Sequence, residues 1–215
     1  MLTRLAGVVL CALVFVSLNC GEPKGAVMVP KNSDFYDGKG EFQADKAKAA
    51  YFDMMTRFHY PIPEGLRKGM WVADFKLGDF AHVGMAGIFW HNDKETGVFG
   101  HEIFLLPGQM IVEHGHETAG DAKAKMEAWH VRHGSIYSLG EGTPDKPLPI
   151  QLPESQAKYM TVKNWKIVQE GEIDWLKRPT AKHFMIAGPQ GAIVTEYGTY
   201  HTNDGLRFTN PGVKF

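Results

Sequence analysis

Cysteine is almost missing from this chain: of 215 residues only Cys11 and Cys20 carry a thiol, and both fall at the N-terminus. Two such residues cannot staple the remainder, so the body must be held by its apolar core. Charge of one sign is missing too. Lys and Arg number 23 against 24 Asp and Glu, and the net −1 argues against a strongly basic nucleic-acid footprint. There is no convincing internal repeat, phosphate-binding glycine loop or coiled-coil heptad. What is present is ordinary for a globular protein: 44% hydrophobic, 12% aromatic and 22% charged residues, in a length that suits one well-buried domain. The 24 glycines and 12 prolines are spread along the chain, which points to many turns and a β-rich body.

The N-terminus stands apart. Arg4 precedes an apolar run from Leu5 to Leu18, too short for a comfortable membrane span and suited to a secretory signal over residues 1–19. Cys20 at the end of that run resembles the lipid-attached cysteine of bacterial lipoproteins, although Ser17 and Asn19 stand where that motif prefers an aliphatic and a small residue. The expectation is export to the periplasm or cell envelope, with Cys20 a candidate lipid anchor. Residues 20–40 are Pro/Gly/Lys/Asp-rich and aperiodic, as a flexible tether would be, and residues 41–215 form the folded domain.

Ala47, Ala50, Tyr51, Met54, Met55 and Phe58 fall on one helical stripe, predicting a helix over Ala44–Phe58 that Pro61 and Pro63 stop. It should pack on the outside of the body. Beyond Gly65 the pattern changes to short alternating or apolar runs. These predict strands near Met70–Phe75, His82–Trp90, Val98–Leu106, Met110–His116, Glu127–Leu139, Tyr159–Val162, Trp165–Gln169, His183–Ala187, Ala192–Tyr200 and Arg207–Phe208. Gly188-Pro-Gln-Gly191 reads as a turn. Many short strands without intervening helices suggest a sandwich or barrel.

One stretch carries most of the chemistry. His114 and His116 sit two apart in an apolar run, so on a strand they point the same way. Glu127, Trp129, Val131 and His133 share one face of the next run. If the two strands are neighbours, Glu127 meets both histidines across an apolar interior. Burying such groups costs several kcal/mol without compensation, and a cation supplies it.

The spacing Gly108, His114-x-His116, Glu127, Gly134 resembles the first metal motif of the cupin superfamily. Ten residues separate His116 from Glu127, longer than the usual pattern, and the polar Thr118–Lys125 segment accounts for the excess as a flexible loop. The resemblance implies a mainly β fold, a single cupin (double-stranded β-helix, jelly-roll) barrel with an N-terminal helix, and a fourth ligand on a later strand. His183 is the best candidate because it opens the apolar run His-Phe-Met-Ile-Ala; His201, before an Asn-Asp-Gly turn, is its competitor.

The long insertion, the Lys-x-Glu pair and a later strand glutamate resemble the D-lyxose isomerase branch of the cupins over most of the chain, from about Trp71 to Phe208. That resemblance implies a divalent metal, usually manganese, on His114, His116, Glu127 and His183. It implies an acid/base pair, Lys125 and Glu196, that moves a proton between C1 and C2 of a sugar through a metal-bound enediol. Iron, cobalt, nickel or zinc suit the same donor set. Glu196 lies in the apolar run Ala-Ile-Val-Thr-Glu-Tyr-Gly, where desolvation strengthens a carboxylate as a base. Lys125 stands in the loop, and Lys123 is its alternative.

Tyr200, His201, Asp204 and Arg207 could contact substrate hydroxyls or simply cap a closing turn. His101 and Glu102 could line a pocket mouth, and Trp71, Trp90 and Trp129 read as core. Two other functions fit the same residues. One is a cupin that binds a sugar or sugar acid without turnover. The other is an oxygen-using cupin, which would not need Lys125 and Glu196. Paired sheet edges could make the protein a homodimer.

Overall fold

A computed structural model describes residues 29–215. The signal segment, Cys20 and the first part of the tether lie outside the described residues. Among those described, no helix is long and apolar enough to cross a membrane. The later part of the tether is anchored to the body. Phe35 is buried, and the Asn32 side chain donates to Asp79 and accepts from the Ala81 amide at 2.8 and 2.9 Å.

The chain runs α1 (Ala44–Arg57), α2 (Glu64–Gly69), β1 (Trp71–Ala73), β2 (Met85–Asn92), β3 (Val98–Leu105), β4 (His114–His116), β5 (Glu127–Gly140), α3 (Glu154–Ala157), β6 (Asn164–Gln169), β7 (Ile173–Trp175), β8 (His183–Thr199) and β9 (Leu206–Phe208). All nine strands join one antiparallel sheet. β8 is its axis. The second half of β8 has β3 on one side and β5 on the other, while its first half lies between β5 and β4. A sheet wound around one long strand in this way curls into a single cupin-type barrel, mainly β with helices outside, as the sequence led one to expect.

Strand alternation separates two apolar layers. Ile103 and Leu105 point into the barrel with Met85, Val131, Ile136 and Val194. Phe104 and Leu106 point outward, under Tyr51, Met54 and Met55 of α1. Covering each of those three side chains contributes on the order of 1.5–3 kcal/mol. Tyr51 also donates to the buried Gln109 amide at 2.6 Å, tying the helix to the barrel.

Two expectations fail for identifiable reasons. Residues 188–191 do not reverse the chain; β8 continues through them as a bulge opposite Ser135, between the pairs Ile136↔Ala187 and Gly134↔Ala192. Glycine makes the bulge feasible. Gly134 and Gly191 both have positive φ, and a Cβ on Gly134 would stand 2.1 Å from the Gly191 carbonyl oxygen. Residues 159–162 form no strand, because the buried Glu113 carboxylate takes their donors. It accepts from the Thr161 amide and hydroxyl, the Val162 amide and the Thr209 hydroxyl at 2.6–2.9 Å. The short elements α2, α3 and β7 carried too few periodic residues to be read in advance.

Candidate active site

The three-residue strand β4 places His114 and His116 on the barrel's inner face, with Gly115 between them. Backbone pairing sets His114 opposite His183, and Glu127 opens β5 on the same inner face as Trp129 and Val131. Four potential ligand atoms, from His114, His116, Glu127 and His183, therefore lie within 4.8 Å of one another. The Nε2 atoms of His116 and His183 stand 2.9 and 3.0 Å from the two Glu127 oxygens, yet neither makes an aligned hydrogen bond. The opposite ring nitrogens of His114 and His183 are fixed: each Nδ1 lies 2.9 Å from a backbone carbonyl, of Val112 and Ala181 respectively. A carbonyl can only accept, so Nδ1 carries a proton, and in the neutral ring it is Nε2 that presents a lone pair to the cluster. Converging unpaired nitrogens and one carboxylate fit a first-row divalent ion.

The electrostatics agree with that fit. Burial and the neighbouring imidazoles of His183 and His116 push His114 well below the ordinary histidine value, so it stays neutral. Burial alone would raise Glu127. The charge of Lys125 and the His116 ring outweigh burial and hold Glu127 well below the usual carboxylate range.

Lys125 is not in a solvated loop. It is buried, 2.8 Å from Glu127 and in contact with Glu196, and its ammonium lies 3.8 Å above the Phe99 ring centre. Lys123, two residues earlier and in the same phase, is exposed, so the position of the segment against the barrel, and not alternation, decides between the two lysines. Glycine makes the room: a Cβ on Gly198 would sit 3.1 Å from the Lys125 Cε. Burial opposes the charge on Lys125, but the two carboxylates prevail and raise its pKa. Glu196 is also buried, and its second oxygen lies 3.0 Å from the His101 Nδ1.

These groups line one cavity whose remaining wall is apolar, including Trp71, Phe89, Phe99, Trp129, Phe208 and Phe215. His101 and Glu102 part company through alternation. His101 faces the cavity, whereas Glu102 faces outward and accepts from Tyr60 and Trp90. Of the C-terminal candidates only His201 reaches the cavity, where burial and the Lys125 charge push it down to about 4. It stands beside the ligand cluster rather than in it. Tyr200 lines a separate surface groove, Asp204 is exposed, and Arg207 is exposed and donates to Glu117 at 2.9 Å. The residues missed in sequence were Phe89, Phe99 and the engagement of His101 with Glu196. The signal was present in the phase of β3, where Phe99, His101 and Ile103 share one face.

A buried cluster of three imidazoles and a carboxylate that could hold a metal ion, joined through a lysine to a second carboxylate inside a cupin-type barrel, defines the class: a cupin-like protein with a candidate metal site. No protein-family model matches the chain. Curated relatives do. The D-lyxose ketol-isomerase of Cohnella laeviribosi is 32% identical over 143 residues, covering 66% of this chain and 77% of that protein. The D-lyxose/D-mannose isomerase of Thermosediminibacter oceani is 27% identical over 163 residues, covering 76% and 88%. Among solved structures, a mutant of Acinetobacter sp. L-ribose isomerase in complex with L-ribose superposes with a TM-score of 0.65 at 13% identity, over 86% of this chain and 96% of that one. Ligand-free Cellulomonas parahominis L-ribose isomerase gives 0.57 at 13% identity, over 77% and 90%. The structural likeness establishes the shared fold. By its sequence, the chain belongs to the D-lyxose ketol-isomerase family, and so to the sugar isomerases.

Proposed function

We propose that this protein is a metal-dependent aldose–ketose isomerase that moves a proton between C1 and C2 of a free sugar. The observation that carries the reading is the chain of contacts from Glu127 through Lys125 to Glu196. It sets a second carboxylate beside the His/Glu cluster, in one largely apolar cavity, as an acid/base role for Glu196 would require. His114, His116, Glu127 and His183 would hold the ion. A divalent ion bound there supplies Lewis-acid polarisation of substrate oxygens, which acidifies the neighbouring C–H.

Glu196 takes the proton from one carbon and returns it to the next. It is buried, and its two oxygens are held by different donors, so its free lone pairs point in a set direction. Lys125 remains a fixed ammonium between two carboxylates, suited to stabilising negative charge on a substrate oxygen rather than to carrying the proton itself. The aromatic walls exclude water from the reacting carbons. Manganese is our first assignment for the ion, on the family resemblance, ahead of iron, cobalt, nickel and zinc.

D-Lyxose, D-mannose and L-ribose are the first sugars to try, since related proteins bear their names. We further propose that the enzyme works outside the cytoplasm, on the strength of the apolar run after Arg4, with Cys20 as the lipid-attachment point. The test of activity is solvent deuterium exchange into C1 or C2 of a sugar panel with manganese supplied. Exchange should occur with at least one sugar and disappear in Glu196→Gln. Sugar binding without any exchange would overturn the isomerase reading.

A further inference from the structure

We propose that His101 is a positioning residue of this site, which clamps the second oxygen of Glu196 and is itself seated by Trp71 and Gly87. The inference rests on Glu196 being the base.

His101 lies directly opposite Glu196 in the β3–β8 ladder. Its Nδ1 is 3.0 Å from Glu196 Oε2, while Lys125 contacts Oε1. The carboxylate is therefore gripped at both oxygens, by His101 on β3 and by Lys125 in the segment just before β5. His101 is only 3% exposed, and its ring stacks on Trp71 with centroids 5.4 Å apart and planes 16° from parallel. Phe89 and Phe99 pack against the ring at 4.8 and 5.7 Å. Its Nε2 has no hydrogen-bond partner. A proton there would be wasted on an apolar wall, whereas on Nδ1 it is received by a carboxylate, so the geometry selects the Nδ1–H tautomer that donates to Glu196.

Gly87 explains how the ring comes to sit this way. It pairs with Trp71 across β1–β2, and a Cβ built on it would stand 2.2 Å from His101 Nε2 and 2.6 Å from Trp71 Cζ2. Its backbone is not in the left-handed region, so glycine is needed here for space and not for conformational freedom. The missing side chain is filled by the edge of the Trp71–His101 stack. Moving a proton between adjacent carbons requires the base to keep one direction toward both, and an error of about 1 Å in such a group can cost about a hundredfold in rate.

The test compares His101→Leu, His101→Asn and Gly87→Ala, each loaded with manganese and checked for metal content and melting temperature. Asn can place an amide N–H where the imidazole Nδ1–H stood; Leu cannot. The expected result is a drop in kcat of about a hundredfold for His101→Leu, with KM changed less than about threefold and metal content unchanged. His101→Asn should recover at least about tenfold of that loss. Gly87→Ala should lower kcat in the same sense, although it alters no group that touches substrate. If Gly87→Ala does not fold, the Leu and Asn variants decide. The inference is overturned if His101→Leu keeps kcat within about threefold of wild type while Glu196→Gln abolishes exchange. It is equally overturned if Asn does no better than Leu. Exchange that survives in Glu196→Gln removes the base assignment itself, and this inference with it.

Discussion

The Lys125 ammonium lies 2.8 Å from Glu127 Oε1, two residues along the same side of the chain, and bridges onward to Glu196 on β8. One cation thus serves both the carboxylate proposed as a ligand and the carboxylate proposed as the base. Removing it should damage catalysis before it damages structure. In Lys125→Met we expect kcat to fall by about 10²–10³, with bound metal retained because the ion still compensates Glu127. Steady-state kinetics alongside elemental analysis checks both parts.

If the proposed cluster holds the ion, stability should depend on metal. Wild-type protein should gain about 2.7 kcal/mol when the free ion is a hundredfold above its Kd. The His114→Ala/His116→Ala double variant should gain nothing measurable. Chemical denaturation with and without manganese reads the difference; equal gains in both proteins would mean that the ion binds elsewhere.

Proton release should accompany metal binding. Burial by itself would lower His183, but the Glu127 carboxylate 3.0 Å from its Nε2 prevails and raises it above 6.5. In metal-free protein the stabilisation from this raised group is fully present below about pH 6.5 and is lost as pH rises through the folded-state value. Metal needs the neutral ring, so the sign is opposite for binding. Affinity should increase as pH rises through that range, with up to one proton released per ion from His183. Calorimetry in two buffers of different ionisation enthalpy measures the released proton.

Glu113 has no part in the cavity and should matter only for stability. Its carboxylate satisfies four donors in the segment 161–162 and at Thr209. Glu113→Leu leaves the buried Val162 amide and the partly covered donors of Thr161 and Thr209 without their acceptor, and we expect a loss of about 1–3 kcal/mol in urea unfolding. The kcat of the fraction that remains folded should change little.

Local patterns were legible wherever a residue's role follows from its neighbours in the chain. The stripe from Ala47 to Met55 placed α1 to within a residue, since burial at helical spacing requires nothing from elsewhere. Alternation put His114 with His116 and Glu127 with Trp129, and the barrel brought both pairs together. Alternation also held the information that His101 points inward and Glu102 outward, but using it required knowing which face was the inside.

Other features had no local signature. Residues 159–162 had the composition of a strand, and a carboxylate nearly fifty positions away in the chain took their donors instead. Residues 188–191 had the composition of a turn, but Gly134 let the opposite strand approach closely enough to keep β8 continuous. Each outcome was set by a partner far off in the chain.

The sequence by itself determined the fold class, the donor types and their strand phase, and so the metal chemistry open to the protein, because periodicity and residue chemistry are carried by each segment alone. Only the tertiary structure decided that Lys125 is buried between Glu127 and Glu196, and that His101 grips the far oxygen of Glu196. A salt bridge or a clamp depends on distances of about 3 Å between strands, and those distances are set by sheet register and by the space that Gly87 and Gly198 leave open.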